Sequence, residues 1–406
     1  MASFDNSGSR ISKLVSGIEP SPTLAVDAKG KALKAKGEPV VSFGAGEPDF
    51  PTPDAIVEAA IEAAKNPKYH KYSPVAGLEE LRNAIAQKTS ITAGADYNVS
   101  QTIVTNGGKH ALYNACLTLL DPEDEVLLPA PYWSTYTEAI KLANAKPVIV
   151  NTTEESGFHV TVDELQKHLT SKTKLIIITS PNNPTGAVLS KEELIQIGKF
   201  ALENNLWVLT DEIYEHLVYD SHSQYSIVSL VPEIKDRCLI INGVAKTYAM
   251  TGWRIGWIVG PKDVISAAIN LQSQSTSNVN NIAQVAAYKA LTYGMEDFEK
   301  MKVVFEKRRK LIHGLLSDIN NVSCNLPEGA FYAYPSFKYY MGKSIAGVKV
   351  NDTLDLADII LEKAKVAFVP GEAFGTPGYG RFSYALSEED ITEGITRINK
   401  LLTEVE

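Results

Sequence analysis

The stretch Leu175-Ile176-Ile177-Ile178-Thr179-Ser180-Pro181-Asn182-Asn183-Pro184-Thr185-Gly186 decides the fold. Its opening aliphatic run is too short for a helix, and two prolines with a glycine then fix a rigid loop. Ser190 follows, with Glu193 three residues on, a capping-box signature that predicts a helix over Lys191 to Asn204. Trp207 to Leu209 is the next short apolar run. Strand, loop, helix and strand in this order make one βαβ unit. The same alternation extends from about Pro53 to Lys289, with further strands at Thr102 to Val104, Glu125 to Leu128, Pro147 to Val150, Leu239 to Ile241 and Ile255 to Val259. Lys109 to Leu120, Thr135 to Ala143 and Val162 to Leu169 carry helical spacing, the last behind Thr161 as a cap. The reading is an α/β fold in which a mainly parallel seven-stranded sheet is sandwiched by helices.

After a long helical stretch from about Met295 to Leu316 the pattern changes. Ala330 to Tyr334, Val366 to Val369 and Gly380 to Tyr384 read as strands alternating with helices that end at Leu402, a smaller α+β unit. No repeat or Gly/Ser linker separates the units, so the boundary falls softly near residue 300.

Composition narrows the function. Lys plus Arg number 39 against 48 Asp plus Glu, a formal charge of -9, which disfavours a nonspecific nucleic-acid binder or an anionic-membrane binder. With 44% apolar and 21% charged residues in 406, disorder and fibrous repeats are excluded. Cys116, Cys238 and Cys324 are far apart, so neither a disulfide framework nor a thiolate metal site is expected, and no metal is assigned. The opening MASFDNSGSR lacks the apolar core of a signal peptide, and no run approaches membrane-spanning length. A cytoplasmic protein is expected.

Ligands collect where loops leave the carboxyl ends of parallel strands, and four such ends are unusual. Thr105-Asn106-Gly107-Gly108-Lys109 would present free backbone N–H groups to an anion, although paired glycines also serve simple turns. Gly44-Ala45-Gly46 fails as a dinucleotide fingerprint because Asp49 occupies the third glycine position. Ser180 to Gly186 holds an asparagine in a rigid loop. Asp211 ends a buried strand with Tyr214 three residues on, where the acid serves either a pocket or a helix cap. Finally, Asn242-Gly243-Val244-Ala245-Lys246 follows a buried strand, with Arg254 eight residues beyond the lysine. Burial lowers an amine's pKa and makes it a nucleophile and base, whereas a surface lysine merely snorkels.

Together SPNNPTG, DEIY and NGVAKTYAMTGWRIG resemble the aspartate-aminotransferase superfamily, fold type I pyridoxal-phosphate enzymes of class I. GAGEPDF, YSPVAG at Tyr72 to Gly77, PYW at Pro131 to Trp133 and GRFSYA from Gly380 extend the resemblance to both termini, and the bacterial-type class Ib subgroup is the most similar. The resemblance implies pyridoxal 5'-phosphate as cofactor and residues 48–300 as the large domain that binds it. It assigns 301–406 to the small domain and 1–47 to an N-terminal arm and part of that domain. It makes Lys246 the Schiff-base lysine and proton shuttle, Asp211 the partner of the pyridinium nitrogen, and Asn183 and Tyr214 the partners of the ring 3-oxygen. Trp133 would stack on the ring. Arg254, the Gly108-Lys109 backbone and Tyr72 of a neighbouring subunit would hold the phosphate, which implies a homodimer with sites at the subunit interface. Arg381 would bind the substrate α-carboxylate, with the Gly46 backbone close by.

A distal carboxylate needs a second, desolvated cation. The class Ib resemblance points to Lys109, and to Thr23 as a further donor. Glu19 stands where some prephenate- or dicarboxylate-accepting relatives carry a basic residue, which argues against prephenate. The expected reaction is amino transfer from L-aspartate to 2-oxoglutarate by a ping-pong mechanism, with small-molecule amino and 2-oxo acids as partners. Aromatic, alanine, kynurenine or prephenate transamination remains open, as does a C–S lyase on the same scaffold. A ligand-sensing regulator is disfavoured, since no helix-turn-helix fits before Gly44.

Overall fold

The computed structural model describes residues 10–20 and 22–406. The central sheet has seven strands in the order Thr102–Thr105, Gly256–Val259, Cys238–Gly243, Trp207–Asp211, Thr173–Thr179, Glu125–Ala130 and Lys146–Asn151. Every sequence-predicted strand is present within a few residues. Six run in one direction, and Gly256–Val259 alone is antiparallel to both its neighbours. The carboxyl ends Thr105, Ala130, Thr179, Asp211 and Gly243 therefore share one edge of the sheet, joined there by the amino end of Gly256.

Side chains alternate across the sheet, as the period of two requires. Val104, Leu127, Ile176, Ile178, Val208 and Ile240 face a core covered by helices such as Asp54–Lys65, Glu79–Ala93, Lys191–Glu203 and Asn281–Tyr293. Ile103, Val126, Leu128, Ile177, Leu209 and Ile241 face a second layer under Gly108–Leu119, Thr135–Leu142 and Lys262–Ser275. Ser190 and Glu193 form the expected capping box, and the Thr161 hydroxyl accepts from the Glu164 N–H. Coverage of both faces explains why the strands read as continuous apolar runs.

A separate core gathers Phe298, Phe305, Ile312 and Leu316 of helix Glu296–Ser317 with helices Thr353–Ala364 and Glu388–Leu402. The predicted strand Val366 to Val369 is two short pieces: Val366–Ala367 pairs in parallel with Val41–Ser42, and Val369–Pro370 joins Gly380–Ser383 and Tyr332–Ala333 in a three-stranded antiparallel sheet. Tyr214, Leu217 and Tyr219, just beyond the strand that ends at Asp211, are buried in this core and not in the sheet's own layers. Their backbone is tied in by hydrogen bonds of 2.8 Å from Ala330 N–H to Leu217 O and 2.9 Å from Tyr219 N–H to Glu328 O. Among the described residues no helix is long and apolar enough to cross a membrane.

Where Gly256 pairs with both Thr105 and Gly243, an added Cβ would stand 2.6 Å from the Gly107 carbonyl carbon and 2.6 Å from the Gly108 nitrogen. Both obstacles are backbone, so the turn itself would have to move. Gly256→Ala is expected to cost about 1–3 kcal/mol, in the range of other overpacked positions, and to lower Tm in calorimetry. An unchanged Tm would mean the two backbones separate freely.

Candidate active site

At the shared edge lies a cavity of about 370 Å³ lined by Gly46, Gly108, Lys109, Trp133, Asn183, Asp211, Tyr214, Lys246, Arg254 and Arg381, together with neighbours the sequence did not single out. Ten of the twelve sequence-assigned site residues thus meet in one place, from segments over 300 residues apart in sequence. Tyr72 is not among them; it is 92% exposed and stands outside the cavity of its own chain. The backbone of Thr23 belongs to helix Pro22–Ala35, and its side chain lies outside the described residues.

Lys246 sits in the tight turns that follow Cys238–Gly243, its ammonium donating to the Gly46 carbonyl and lying 5.7 Å and 5.6 Å from the rings of Tyr214 and Phe331. Burial first, then repulsion from Arg381, lowers its pKa to about 8. A neutral fraction near neutral pH far above that of an ordinary lysine is what a nucleophilic amine needs.

Asp211 is buried too, and burial raises its pKa against the opposing hydrogen bonds. Tyr136 Oη donates to Asp211 Oδ2 at 2.8 Å, and the Ile213 N–H donates to Oδ1 at 3.2 Å. No ion pair reaches this carboxylate among the described residues, so a cationic ring nitrogen would complete it.

The Arg254 guanidinium donates to Thr251 O at 2.8 Å and Asn106 O at 3.4 Å, which lays it over the glycine turn. Gly107 has φ +82° and a Cβ there would come within 2.5 Å of Arg254 Nη2. This glycine is required twice, for its backbone angle and for its missing side chain. Gly108 opens the helix Gly108–Leu119, so its free N–H groups and Arg254 form a cradle for an anion.

Arg381 is 1% exposed, donating to Asn183 Oδ1 at 3.0 Å and Gly44 O at 2.9 Å, with Tyr332 at 4.6 Å beneath it. Among the described residues its Nε, buried, has no partner. Since Asn183 spends its oxygen on Arg381, its amide nitrogen remains the donor. A Cβ on Gly46 would stand 3.3 Å from Tyr332 Oη, so a side chain there would crowd this wall. Lys109 Nζ lies 5.1 Å from the Trp133 ring, and burial followed by repulsion from Arg254 lowers its pKa.

Sequence reasoning missed Tyr136, Tyr332, Thr179, Thr251 and Glu47. Tyr332 Oη is 2.8 Å from Tyr214 Oη, and Tyr136 Oη is 2.7 Å from Thr179 Oγ1. Tyr136 lies three residues after Trp133 at a predicted helix start, and the two rings meet edge to face at 5.5 Å, a spacing that marks a common face. Tyr332 carries no comparable local signal. The cavity holds four cationic side chains, Lys109, Lys246, Arg254 and Arg381, against two carboxylates, Glu47 and Asp211. An orphaned Arg381 Nε, an unpaired buried carboxylate, a desolvated amine and an anion cradle fit pyridoxal phosphate with an amino acid.

The pKa of Lys246 also bears on stability. The folded chain binds this proton less tightly than the unfolded chain, whose lysine has the ordinary value of 10.5, so stability rises with pH between about 8 and that value. Full relief is worth about 3 kcal/mol. In cofactor-free protein the Tm of wild type is expected to gain on that of Lys246→Met as pH rises through this window. Parallel curves would show that Lys246 titrates as an ordinary lysine.

Residues 38–398 match the model of the family "Aminotransferase class I and II". An aspartate aminotransferase of Streptomyces avermitilis is 57% identical over 395 residues, covering 97% of each chain. The structure of the aspartate aminotransferase of Rhizobium meliloti superimposes with a TM-score of 0.94 at 36% identity, covering 98% of this chain and all of that one. The Thermus thermophilus aspartate aminotransferase, solved with maleate, gives 0.90 at 38% identity over 96% of this chain and 99% of its own. With matches over nearly the full length of both partners and a cavity that fits the cofactor, the chain belongs to the class I and II aminotransferases, enzymes that depend on pyridoxal 5'-phosphate.

Proposed function

We propose that the enzyme transfers the amino group of L-aspartate to 2-oxoglutarate, giving oxaloacetate and L-glutamate. The observation that carries the substrate choice is the cation count in the cavity. Arg254 attends the cofactor phosphate, Arg381 the α-carboxylate, and Lys246 the chemistry, which leaves Lys109 free for a second carboxylate. Its position beside Trp133, partly stripped of water, makes that attraction stronger than a surface lysine would provide. Similarity to enzymes named aspartate aminotransferase supports the same choice.

Pyridoxal 5'-phosphate, when bound, supplies a carbonyl carbon that takes the amino group and a ring that accepts the electrons released at the substrate α-carbon. The chain's residues do the rest. Lys246 Nζ, neutral in part near pH 8, holds the cofactor and then takes and returns the α-proton. Asp211, whose carboxylate accepts the Tyr136 hydroxyl, would pair with the ring nitrogen and keep it protonated. Asn183 Nδ2 and Tyr214 Oη serve the ring 3-oxygen, and Trp133 covers the ring. Arg381, braced by Asn183 and Gly44, orients the α-carboxylate bidentately beside the Gly46 backbone, and Thr23 adds a donor.

The assembly is a homodimer in which Tyr72 reaches the phosphate of a second copy; its near-complete exposure supports this reading. Residues 48–300 form the cofactor-binding domain, 301–406 the small domain, and 1–47 an arm with part of the small domain. The cytoplasm is the proposed location.

Adding L-aspartate to the cofactor-loaded enzyme is expected to move the visible band to the pyridoxamine form, with 2-oxoglutarate reversing it. A response to tyrosine or alanine without one to aspartate would discard the substrate and keep the reaction. Lys109→Ala is expected to lower kcat/KM for aspartate at least tenfold more than for alanine; equal losses would remove Lys109 from substrate recognition. Tyr136→Phe withdraws a hydrogen bond from ionised Asp211 and so raises its pKa. The acid limb of the kcat/KM profile should move to higher pH, and an unmoved limb would separate Tyr136 from the tuning of Asp211.

A further inference from the structure

Three buried amides hold the segment that carries Tyr72. Asn281 Nδ2 donates to Tyr69 O at 3.3 Å and to Lys71 O at 2.6 Å. Gln272 Nε2 donates to Val75 O and to Val104 O, both at 3.0 Å. The Leu78 N–H donates to Gln284 Oε1 at 2.7 Å. Gln272 and Gln284 are fully buried and Asn281 is 5% exposed, whereas Tyr72 is 92% exposed. Burying amides is costly unless their hydrogen bonds are made, and each of these spends at least one of its bonds on one short piece of backbone, residues 69–78. The result is an aromatic side chain in solvent on a fixed base, an arrangement that suits a partner surface and does nothing for the chain's own core.

Gln272 goes further, because its Oε1 accepts from Asn114 Nδ2 at 2.9 Å. Asn114 lies on Gly108–Leu119, the helix whose N-terminus forms the anion cradle, and Val104 lies on the strand that leads into that turn. One side chain thus touches the supports of the chain's own cradle and the segment bearing Tyr72.

We infer that Asn281 and Gln272 are positioning residues for cofactor binding. Asn281 sets Tyr72 for the phosphate site of a second copy of this chain, and Gln272 ties that segment to the cradle of its own chain. The inference rests on the proposal that Tyr72 serves a second copy, and the test separates the two.

Hybrid dimers are assembled from a Lys246→Ala chain and a chain with Lys246 intact, each with its own affinity tag. The readout is the pyridoxal phosphate concentration that half-saturates borohydride trapping on Lys246, counted by mass spectrometry, so only the intact chain's site reports. Asn281→Ala in the Lys246→Ala chain is expected to raise this concentration about tenfold, the scale of a lost buried hydrogen bond; in the intact chain it should change little. Gln272→Met should raise it from either chain. Asn281→Asp keeps the shape without the donor and should reproduce Asn281→Ala; a wild-type value for it would overturn the role of the hydrogen bonds. Tyr72→Phe in the Lys246→Ala chain tests the underlying reading. If it has no effect, or the two chains do not co-purify, the second-copy role fails. If it weakens trapping while Asn281→Ala does not, Tyr72 acts across the interface and the positioning role is overturned.

Discussion

Close contact between two backbones organises this site. The one antiparallel strand of the sheet enters beside the strand Thr102–Thr105, and Gly256 lies against Gly107 and Gly108 with no room for a side chain. The approach brings Arg254, two residues upstream, over the glycine turn. A fixed cation and a helix N-terminus then address one point. The strand ends at Ala130, Thr179, Asp211 and Gly243 bring Trp133, Asn183, Asp211 with Tyr214, and Lys246 to the same cavity, so the chemistry is distributed over segments whose relative positions the sheet register determines. Arg254 itself has a left-handed backbone, φ 58° and ψ 49°, a conformation that non-glycine residues adopt only where their surroundings hold it.

Desolvation then differentiates groups that would be equivalent in water. Lys246 and Lys109 both lose part of their affinity for a proton, each by burial first and a neighbouring guanidinium second. Asp211 is pushed the other way by the same burial and is pulled back by Tyr136 and the Ile213 N–H. Arg381 keeps its orientation through an asparagine oxygen and a carbonyl, not through a carboxylate that would neutralise it. The cavity therefore retains an excess of positive charge for anionic ligands, within a chain whose overall charge is -9.

Much of this was legible in the sequence because the strands are buried on both faces and their ends carry Gly, Pro, Asn and Asp in fixed order. Local pattern located all seven strands, and the motifs at their ends carried Asn183, Asp211, Tyr214, Lys246 and Arg254 into one cavity. The small sheet was harder to read: strands of two residues leave little periodicity, and Val366 to Val369 changes partner midway. Tyr332 and Glu47 escaped because their roles arise from tertiary contact alone. Tyr136 was within reach, three residues from Trp133 on a predicted helix, but nothing local tied its hydroxyl to Asp211.

The segment after Asp211 has a further consequence. Tyr214, Leu217 and Tyr219 leave the sheet layer and are packed among Phe298, Phe305, Phe331 and Tyr384, and the Tyr219 hydroxyl donates to Ala330 O at 2.6 Å. A fragment ending near residue 300 would retain the sheet and Lys246 yet strip three large side chains of most of their packing, Tyr214 of the cavity wall among them. The chain on either side of residue 300 is thus a poor candidate for separate expression or for exchange between homologues: a graft of the part beyond that residue would have to bring a matching surface for the segment that follows Asp211.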